Sequence, residues 1–286
     1  MAAAEAARPR TPLRWQHIRT VARTDLKQLA QAKDYWIPML ILGGIFFVFV
    51  PTVLLLTITS IGDVNAVEQL SQAIEILPER AQDQIKGDTE SGRSAYALAV
   101  YLFAPVAVVV PITISTAVGA ATIVGERERG TGEFLAHSPA GIREIFYGKL
   151  IASLVPGYLT TIVGFGVYSL IVNTIVGPDV GGWFFPTPQW WVLMLWVVPP
   201  FLALTLSLVL RLSAKVQSTA AAQQASALVS LPLIMVAYSQ ATGSLYGGDA
   251  LAWYVGAVAW VLALVALWRG VRVVTRARLL GVADER

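Results

Sequence analysis

The stretch 35–62, YWIPMLILGGIFFVFVPTVLLLTITSIG, contains no charged residue and decides the class of fold. It exceeds the roughly 20 apolar residues that a helix needs to cross a bilayer. Further stretches without Lys, Arg, Asp or Glu lie at 94–125, 150–178, 180–210, 216–248 and 250–268. A charge at the bilayer centre costs at least about 2.5 kcal/mol, so a membrane enforces this separation. The sequence therefore predicts an all-α, polytopic membrane protein with six transmembrane helices.

The amino-acid composition agrees with a chain that is embedded in a lipid bilayer. Of the 286 residues, 56% are hydrophobic and 14% are charged, whereas soluble domains carry charge on about a quarter of their residues. The absence of cysteine excludes disulfides and cysteine nucleophiles. Prolines inside the spans predict kinks, and the Pro199-Pro200 pair predicts a real break. We expect the six spans at 37–60, 95–124, 150–176, 189–210, 218–240 and 251–268.

Basic residues lie mostly on one side of the predicted spans. Eighteen of the 21 Lys and Arg fall on the side of the N-terminus and three on the other. By the positive-inside rule both termini are then cytoplasmic, and the protein is a multi-pass protein of the cell membrane, plasma or inner. The chain divides into a cytoplasmic N-terminal segment (1–36), a six-span domain (37–268) and a cytoplasmic basic tail (269–286). Within the six-span domain, an external helical loop (62–94) and a cytoplasmic loop (125–149) separate the first three spans.

An amphipathic helix precedes the first predicted span. Its apolar arc consists of Ile18, Val21, Ala22, Leu26 and Leu29. The adjacent basic row consists of Arg19, Arg23 and Lys27. This pattern is typical of an interfacial helix on an anionic leaflet. A solvated helix that packs against a partner is the alternative.

Three further patterns concern the external side and the helix contacts. Apolar residues at helical spacing predict a second amphipathic helix in the external loop: Val67, Leu70, Ile74 and Leu77. The aromatic residues at 183–191 are interpreted as an interfacial belt, with a substrate-binding cluster as the alternative. Small residues of the second span, such as Ser115 and Gly119, predict close helix packing.

The residue types leave little chemistry for the chain itself. Its only histidines are His17 and His137, and neither has companions at metal-ligand spacing. No pair of carboxylates occurs inside a predicted span, which disfavours a membrane enzyme and a proton relay. The Gly148-Lys149 pair is followed by Leu150 and does not form a phosphate-binding loop. We therefore expect no metal or cofactor on this chain, and any ATPase on a separate one.

The loop after the second predicted span carries the most specific pattern. It reads ERERGTGEFL at 126–135, continues with Ser138-Pro139, and reaches Gly148-Lys149 ahead of the third span. This pattern resembles the permease subunits of type-2 ATP-binding-cassette (ABC) exporters, which carry Glu-x-Glu-(Arg/Lys)-Gly-Thr-x-Glu-x-Leu, a proline turn and a Gly-Lys pair. One departure is Gly132, where a larger apolar residue is usual. Together with Gly130 it weakens a helix by up to about 1 kcal/mol.

The resemblance implies a coupling helix that docks into a groove of an ABC nucleotide-binding subunit. The docking residues that it implies are Glu126, Arg127, Glu128, Arg129, Thr131, Glu133, Phe134 and Leu135. An ordinary charged loop is the alternative. The expected partners are the ATPase subunit, which would bind ATP and Mg, a second permease chain, identical or related, and the lipid bilayer, with no nucleic acid.

The resemblance also implies that the chain is the permease subunit of an ATP-driven exporter. Polar residues of the fifth predicted span are candidates for the pathway or the dimer seam: Gln217, Gln223, Gln224, Ser226 and Ser230. Interhelical hydrogen bonding is an equal alternative for them. The expected substrate is a hydrophobic drug, a lipid or an ion, with hydrophobic cargo ranked first because the spans lack charge. A channel or a membrane scaffold without ATP coupling is the competing hypothesis.

Overall fold

The computed structural model describes residues 13–61, 64–77, 79–128, 137–213 and 251–270, together with the single residues 224 and 235. Every regular element in these residues is helical, which confirms the predicted class. Five helices are long and apolar enough to cross a membrane: Trp36–Ser60, Glu90–Ala120, Ile142–Ile175, Pro188–Arg211 and Ala252–Arg269. They correspond to the first four predicted spans and to the sixth. The predicted fifth span lies outside the described residues except for Gln224 and Met235.

The helices follow one another in this order. Helix α1 is Trp15–Gln31, and α2 consists of Lys33–Gly44, a π-helical turn at Ile45–Phe49, Val50–Leu56 and a second π-helical turn at Thr57–Ile61. Helices α3 (Val64–Glu75) and α4 (Glu79–Gln82) precede α5, which consists of Glu90–Ala97, a π-helical turn at Leu98–Leu102 and Ala104–Glu128. Helix α6 is Ile142–Ile175, and α7 is Gly177–Val180. Helix α8 consists of Pro188–Val192, a π-helical turn at Leu193–Val197, and Val198–Ser213. Helix α9 is Leu251–Gly270.

Helix α5 lies at the centre of the bundle. In its apolar window 72% of the residues are buried, against 22% in α2 and 17% in α9. It packs against both α6 and α8, while α9 packs against α8 and α1 packs against α6. The outward faces of α2 and α9 remain apolar and exposed, as expected for helices that border lipid.

Small residues let α5 and α6 approach closely. A Cβ atom at Gly157 of α6 would collide with Ser115 Oγ and lie 2.7 Å from the carbonyl oxygen of Pro111. A Cβ atom at Gly119 would lie 3.0 Å from Leu206 Cδ2 of α8. The close packing predicted for Ser115 and Gly119 is confirmed.

Three proline sites follow π-helical turns instead of breaking their helices. The carbonyl four residues before a proline has no N–H partner and meets the proline ring. For Pro51, Pro105, Pro199 and Pro200 this carbonyl falls inside Ile45–Phe49, Leu98–Leu102 or Leu193–Val197. The wider π turn takes up the missing hydrogen bond. The predicted break at Pro199-Pro200 is therefore wrong, because α8 continues through it as one helix.

Two helices begin earlier than their apolar stretches. Helix α5 begins at Glu90 instead of 95, because the Thr89 hydroxyl accepts a hydrogen bond from the Gly92 amide at 3.0 Å and caps the helix. Helix α6 begins at Ile142 instead of 150, eight residues ahead of the charge-free stretch. Charge-free stretches mark where lipid begins, whereas a capped helix continues into water.

The end of the bundle that the sequence predicts to be external is covered by helices and aromatic side chains. Helix α3 confirms the amphipathic prediction, since Val67, Leu70 and Ile74 pack against the core and Leu77 is buried. The interpretation of the aromatic residues at 183–191 as an interfacial belt is wrong for two of them. Phe185 and Trp190 are buried, and the Trp190 indole N–H donates a hydrogen bond to the carbonyl oxygen of Val100 at 2.9 Å. Trp183 and Trp191 are exposed, as a belt requires.

Asn173 holds the loop before α8 in place. Its Oδ1 accepts hydrogen bonds from the amides of Phe184 and Phe185 at 2.8 and 2.9 Å, and its Nδ2 donates to the Phe185 carbonyl at 2.6 Å. One buried amide thereby satisfies backbone groups that lipid would leave unpaired. This contact fixes the aromatic residues of the loop against α6.

Candidate functional site

The site lies where α1 meets the start of α6, a few residues after the segment 129–136 in sequence. Glu144, in the first turn of α6, is buried, and its carboxylate accepts three hydrogen bonds. The donors are the Gly141 amide at 2.8 Å, the Arg14 amide at 2.8 Å and His17 Nδ1 at 2.7 Å. An acidic side chain is favourable near a helix N-terminus. Glu144 therefore holds the beginnings of α1 and α6 together.

A second polar contact lies deeper along the same pair of helices. Lys149 of α6 is 1% exposed and Asp25 of α1 is 8% exposed, and Lys149 Nζ lies 3.3 Å from Asp25 Oδ2. A buried charge is tolerated only when it is paired or hydrogen-bonded. The pair thus specifies the register of α1 along α6.

Gly148 makes the close approach of these helices possible. A Cβ atom at Gly148 would lie 2.7 Å from Val21 Cβ and 3.1 Å from the carbonyl oxygen of Ile18. Only glycine leaves room for the backbone of α1 at this point. The Gly148-Lys149 pair therefore has a physical role, since its glycine admits α1 and its lysine pairs with Asp25.

Helix α5, which precedes the segment 129–136, extends beyond its own apolar stretch. Helix α5 continues to Glu128, so that the predicted docking residues Glu126, Arg127 and Glu128 have helical backbone. The other predicted docking residues lie outside the described residues: Arg129, Thr131, Glu133, Phe134 and Leu135. The docking of these residues to an ATPase subunit stays a prediction.

The polar residues of the fifth predicted span are mostly outside the described part of the chain. This holds for Gln217, Gln223, Ser226 and Ser230. Gln224 has helical backbone and an exposed side chain. Its role in a pathway or a dimer seam stays a prediction.

Sequence reasoning gave no role to the four side chains that join α1 to α6. Lys149 belongs to the quoted motif without a function, and Glu144, His17 and Asp25 were given none. The missed signal is Asp25, which stands three residues after Ala22 and seven after Ile18, within the apolar arc of α1. A charge in an apolar arc indicates a buried partner. Within the described residues, no three His, Asp or Glu side chains are grouped as a metal site requires.

The long apolar helices around a buried centre define a polytopic α-helical membrane protein. The family model described as ABC-2 family transporter protein matches residues 19–251, a range that includes the loop and the predicted fifth span. The chain belongs to this family, which confirms the resemblance to type-2 ABC permeases. It is a membrane transport component, and permeases of this family pair with an ABC ATPase subunit. Among curated proteins, none is similar enough to count as a relative.

Proposed function

We propose that this chain is the permease half of an ATP-driven exporter in the cell membrane. A separate nucleotide-binding subunit supplies the ATP and Mg site, and two permease chains, identical or related, enclose the pathway. Both ends of each six-span permease are cytoplasmic, in keeping with the eighteen basic residues on that side. The exported substrate is a hydrophobic drug, a lipid or an ion, with hydrophobic cargo ranked first.

The contact between α1 and α6 supports coupling through the loop 126–135. The first three residues of this segment are the last three of α5, and the turn 137–141 leads into α6, whose Glu144 and Lys149 hold α1. A displacement of the loop by a bound ATPase therefore acts on three elements together. Because packed helices move as rigid bodies, such a displacement reaches the centre of the bundle through α5.

The exposed surface of α1 supports an interfacial position. Its basic row, Arg19, Arg23 and Lys27, is exposed, and Trp15 at its beginning is 65% exposed. Basic and tryptophan side chains are favoured at the membrane surface. The opposite face of α1 packs on α6 of the same chain, which leaves the basic row free to face the membrane surface.

The test reverses two charges in the loop. We expect the double variant Glu126→Lys and Glu133→Lys to lose the ATPase subunit that co-purifies with the parent, since like charges would oppose each other at the docking surface. The membrane yield should stay unchanged, as surface substitutions alter stability by only about 0.5 kcal/mol. The measurement is ATPase co-elution, with ATP hydrolysis by the eluted complex.

The chain offers a matched control for this variant. Glu68 and Glu75 of α3 are exposed, seven residues apart like Glu126 and Glu133, and lie on the predicted external side. Their reversal to Lys should leave co-elution unchanged. Equal ATPase recovery from both double variants contradicts the docking role and favours a channel or scaffold.

A further inference from the structure

An apolar cavity lies between α1 and the three helices that it adjoins. Its volume is about 340 Å³, within the range of about 300–1,000 Å³ that is usual for ligand sites. Six of its lining residues represent the four helices: Leu26 and Leu29 of α1, Trp36 of α2, Val118 of α5, and Val155 and Leu159 of α6.

The lining offers a ligand almost nothing but hydrocarbon. Among the described residues that line it, only Trp36 and Thr160 carry a polar side-chain group, and the Thr160 hydroxyl already donates to the Pro156 carbonyl oxygen at 2.8 Å. A polar ligand would lose its hydration here without gaining hydrogen bonds in return. The chemistry of the cavity therefore selects a hydrocarbon chain.

Cations stand beside this apolar lining. Arg23, Lys27 and Lys33 are exposed, and each precedes a lining residue by three positions: Leu26, Ala30 and Trp36. Residues three apart in a helix occupy adjacent surface. Of the acidic residues in this region, Asp25 is paired with Lys149, and Asp34 is exposed. The edge of the cavity thus carries a positive charge excess.

We propose that this cavity binds one acyl chain of an anionic phospholipid from the adjoining leaflet, while the lipid phosphate contacts Arg23, Lys27 and Lys33. The combination of a hydrocarbon site and adjacent cations matches the two halves of such a lipid. The bound lipid would fill the space between α1 and the bundle and so stabilise the packing of α1. The inference rests on the proposed interfacial position of α1 and is independent of transport.

The test compares two lipids with the same acyl chains. Native mass spectrometry of the purified full chain, titrated with dioleoyl phosphatidylglycerol or dioleoyl phosphatidylcholine, counts the lipids that are retained. We expect the parent to retain one phosphatidylglycerol at least tenfold more tightly, because attraction to each cation contributes roughly 1 kcal/mol. Glycerol phosphate, which has the charge without the chain, should not displace it.

Cavity-filling variants locate the binding site. Val155→Trp and Leu159→Trp occupy the cavity and should weaken retention by about tenfold or more. Val163→Trp is the matched control, because Val163 is exposed on the same helix and does not line the cavity. Unchanged retention in both cavity variants overturns the proposal. Leu159 is exposed at the rim, so that its variant remains informative if Val155→Trp does not fold.

A charge variant tests the phosphate contact separately. Lys27→Glu should reduce the preference for phosphatidylglycerol by about tenfold or more, whereas Lys86→Glu, at an exposed residue of the predicted external side, should preserve it. Equal retention of the two lipids by the parent also overturns the proposal. The Glu126 and Glu133 double variant should keep normal lipid retention, so that a failed docking experiment leaves this result unaffected.

Discussion

Lys149 is held inside the helical bundle by a carboxylate that lies 124 residues away in sequence. Its side chain is 1% exposed, and Asp25 approaches it from α1. The hydrophobic effect alone is non-directional and would allow α1 to slide along α6. Polar contacts at Glu144 and Lys149 select one register, because any shift leaves buried polar groups without partners.

The residue-scale prediction concerns this ion pair. We expect Lys149→Met to lower the free energy of unfolding by about 3–5 kcal/mol, because it leaves the Asp25 carboxylate buried without its charge partner. The double variant Asp25→Leu and Lys149→Met should recover most of that loss, since an apolar pair of similar volume is close to neutral. The measurement is chemical unfolding of the purified chain in detergent.

Lys86→Met is the control for this prediction, because Lys86 is exposed and lies outside the contact between α1 and α6. It should change the free energy of unfolding by only about 0.5 kcal/mol. If the double variant Asp25→Leu and Lys149→Met is as unstable as Lys149→Met alone, the unpaired Asp25 carboxylate is not the cause of the lost stability.

At the scale of the element, α6 is the helix on which the other helices are assembled. It contacts α1 through Gly148, α5 through Gly157 and α2 through Gly164, where an added Cβ atom would meet the Phe47 ring. Glycine in a helix costs about 1 kcal/mol relative to alanine. Close packing of neighbouring helices offsets that cost.

The element-scale prediction uses two glycines of α6. Gly157→Ala should destabilise the chain by about 1–3 kcal/mol, because its Cβ atom would press on Ser115 and on the Pro111 carbonyl. Gly166→Ala is the control, since no atom lies within 4 Å of its added Cβ. That substitution should be neutral or stabilising by up to about 1 kcal/mol.

Thermal unfolding followed by size-exclusion chromatography compares these two variants with the parent. If the Gly157→Ala variant unfolds at the same temperature as the Gly166→Ala variant, α5 and α6 are not closely packed at Gly157. The comparison holds helix propensity constant, because both variants replace glycine by alanine in one helix.

At the scale of the whole molecule, the proposed orientation determines which loops meet the ATPase. We expect a cysteine introduced at Gln72 to be labelled by a membrane-impermeant maleimide on intact cells, because the basic asymmetry predicts that α3 is outside. A cysteine at His137 should be labelled only after permeabilisation. Both side chains are exposed, and the chain contains no other cysteine.

Labelling after permeabilisation is the control, because it shows that both cysteines are reactive. The reverse pattern on intact cells would place the loop 126–135 outside. It would then contradict both the orientation and the docking of an ATPase on this loop.

The sequence by itself determined the class of the protein, its family and the positions of five described spans. A bilayer penalises every charge in its interior, so the spacing of charges along the chain is enough to locate helices of this kind. The amphipathic patterns of α1 and α3 were also readable, because a helix places every third or fourth residue on one face. The docking residues at 126–135 were suggested by the resemblance to type-2 ABC permeases, and their role stays a prediction.

Only the tertiary structure decided which distant side chains meet. It paired Asp25 with Lys149, placed Trp190 against the Val100 carbonyl, and carried α8 through Pro199-Pro200 by means of the π-helical turn that precedes them. These contacts depend on how helices pack across the bundle, and no local spacing encodes that arrangement. Charge and periodicity select helices one at a time, whereas buried polar groups find partners only when all the helices are in place.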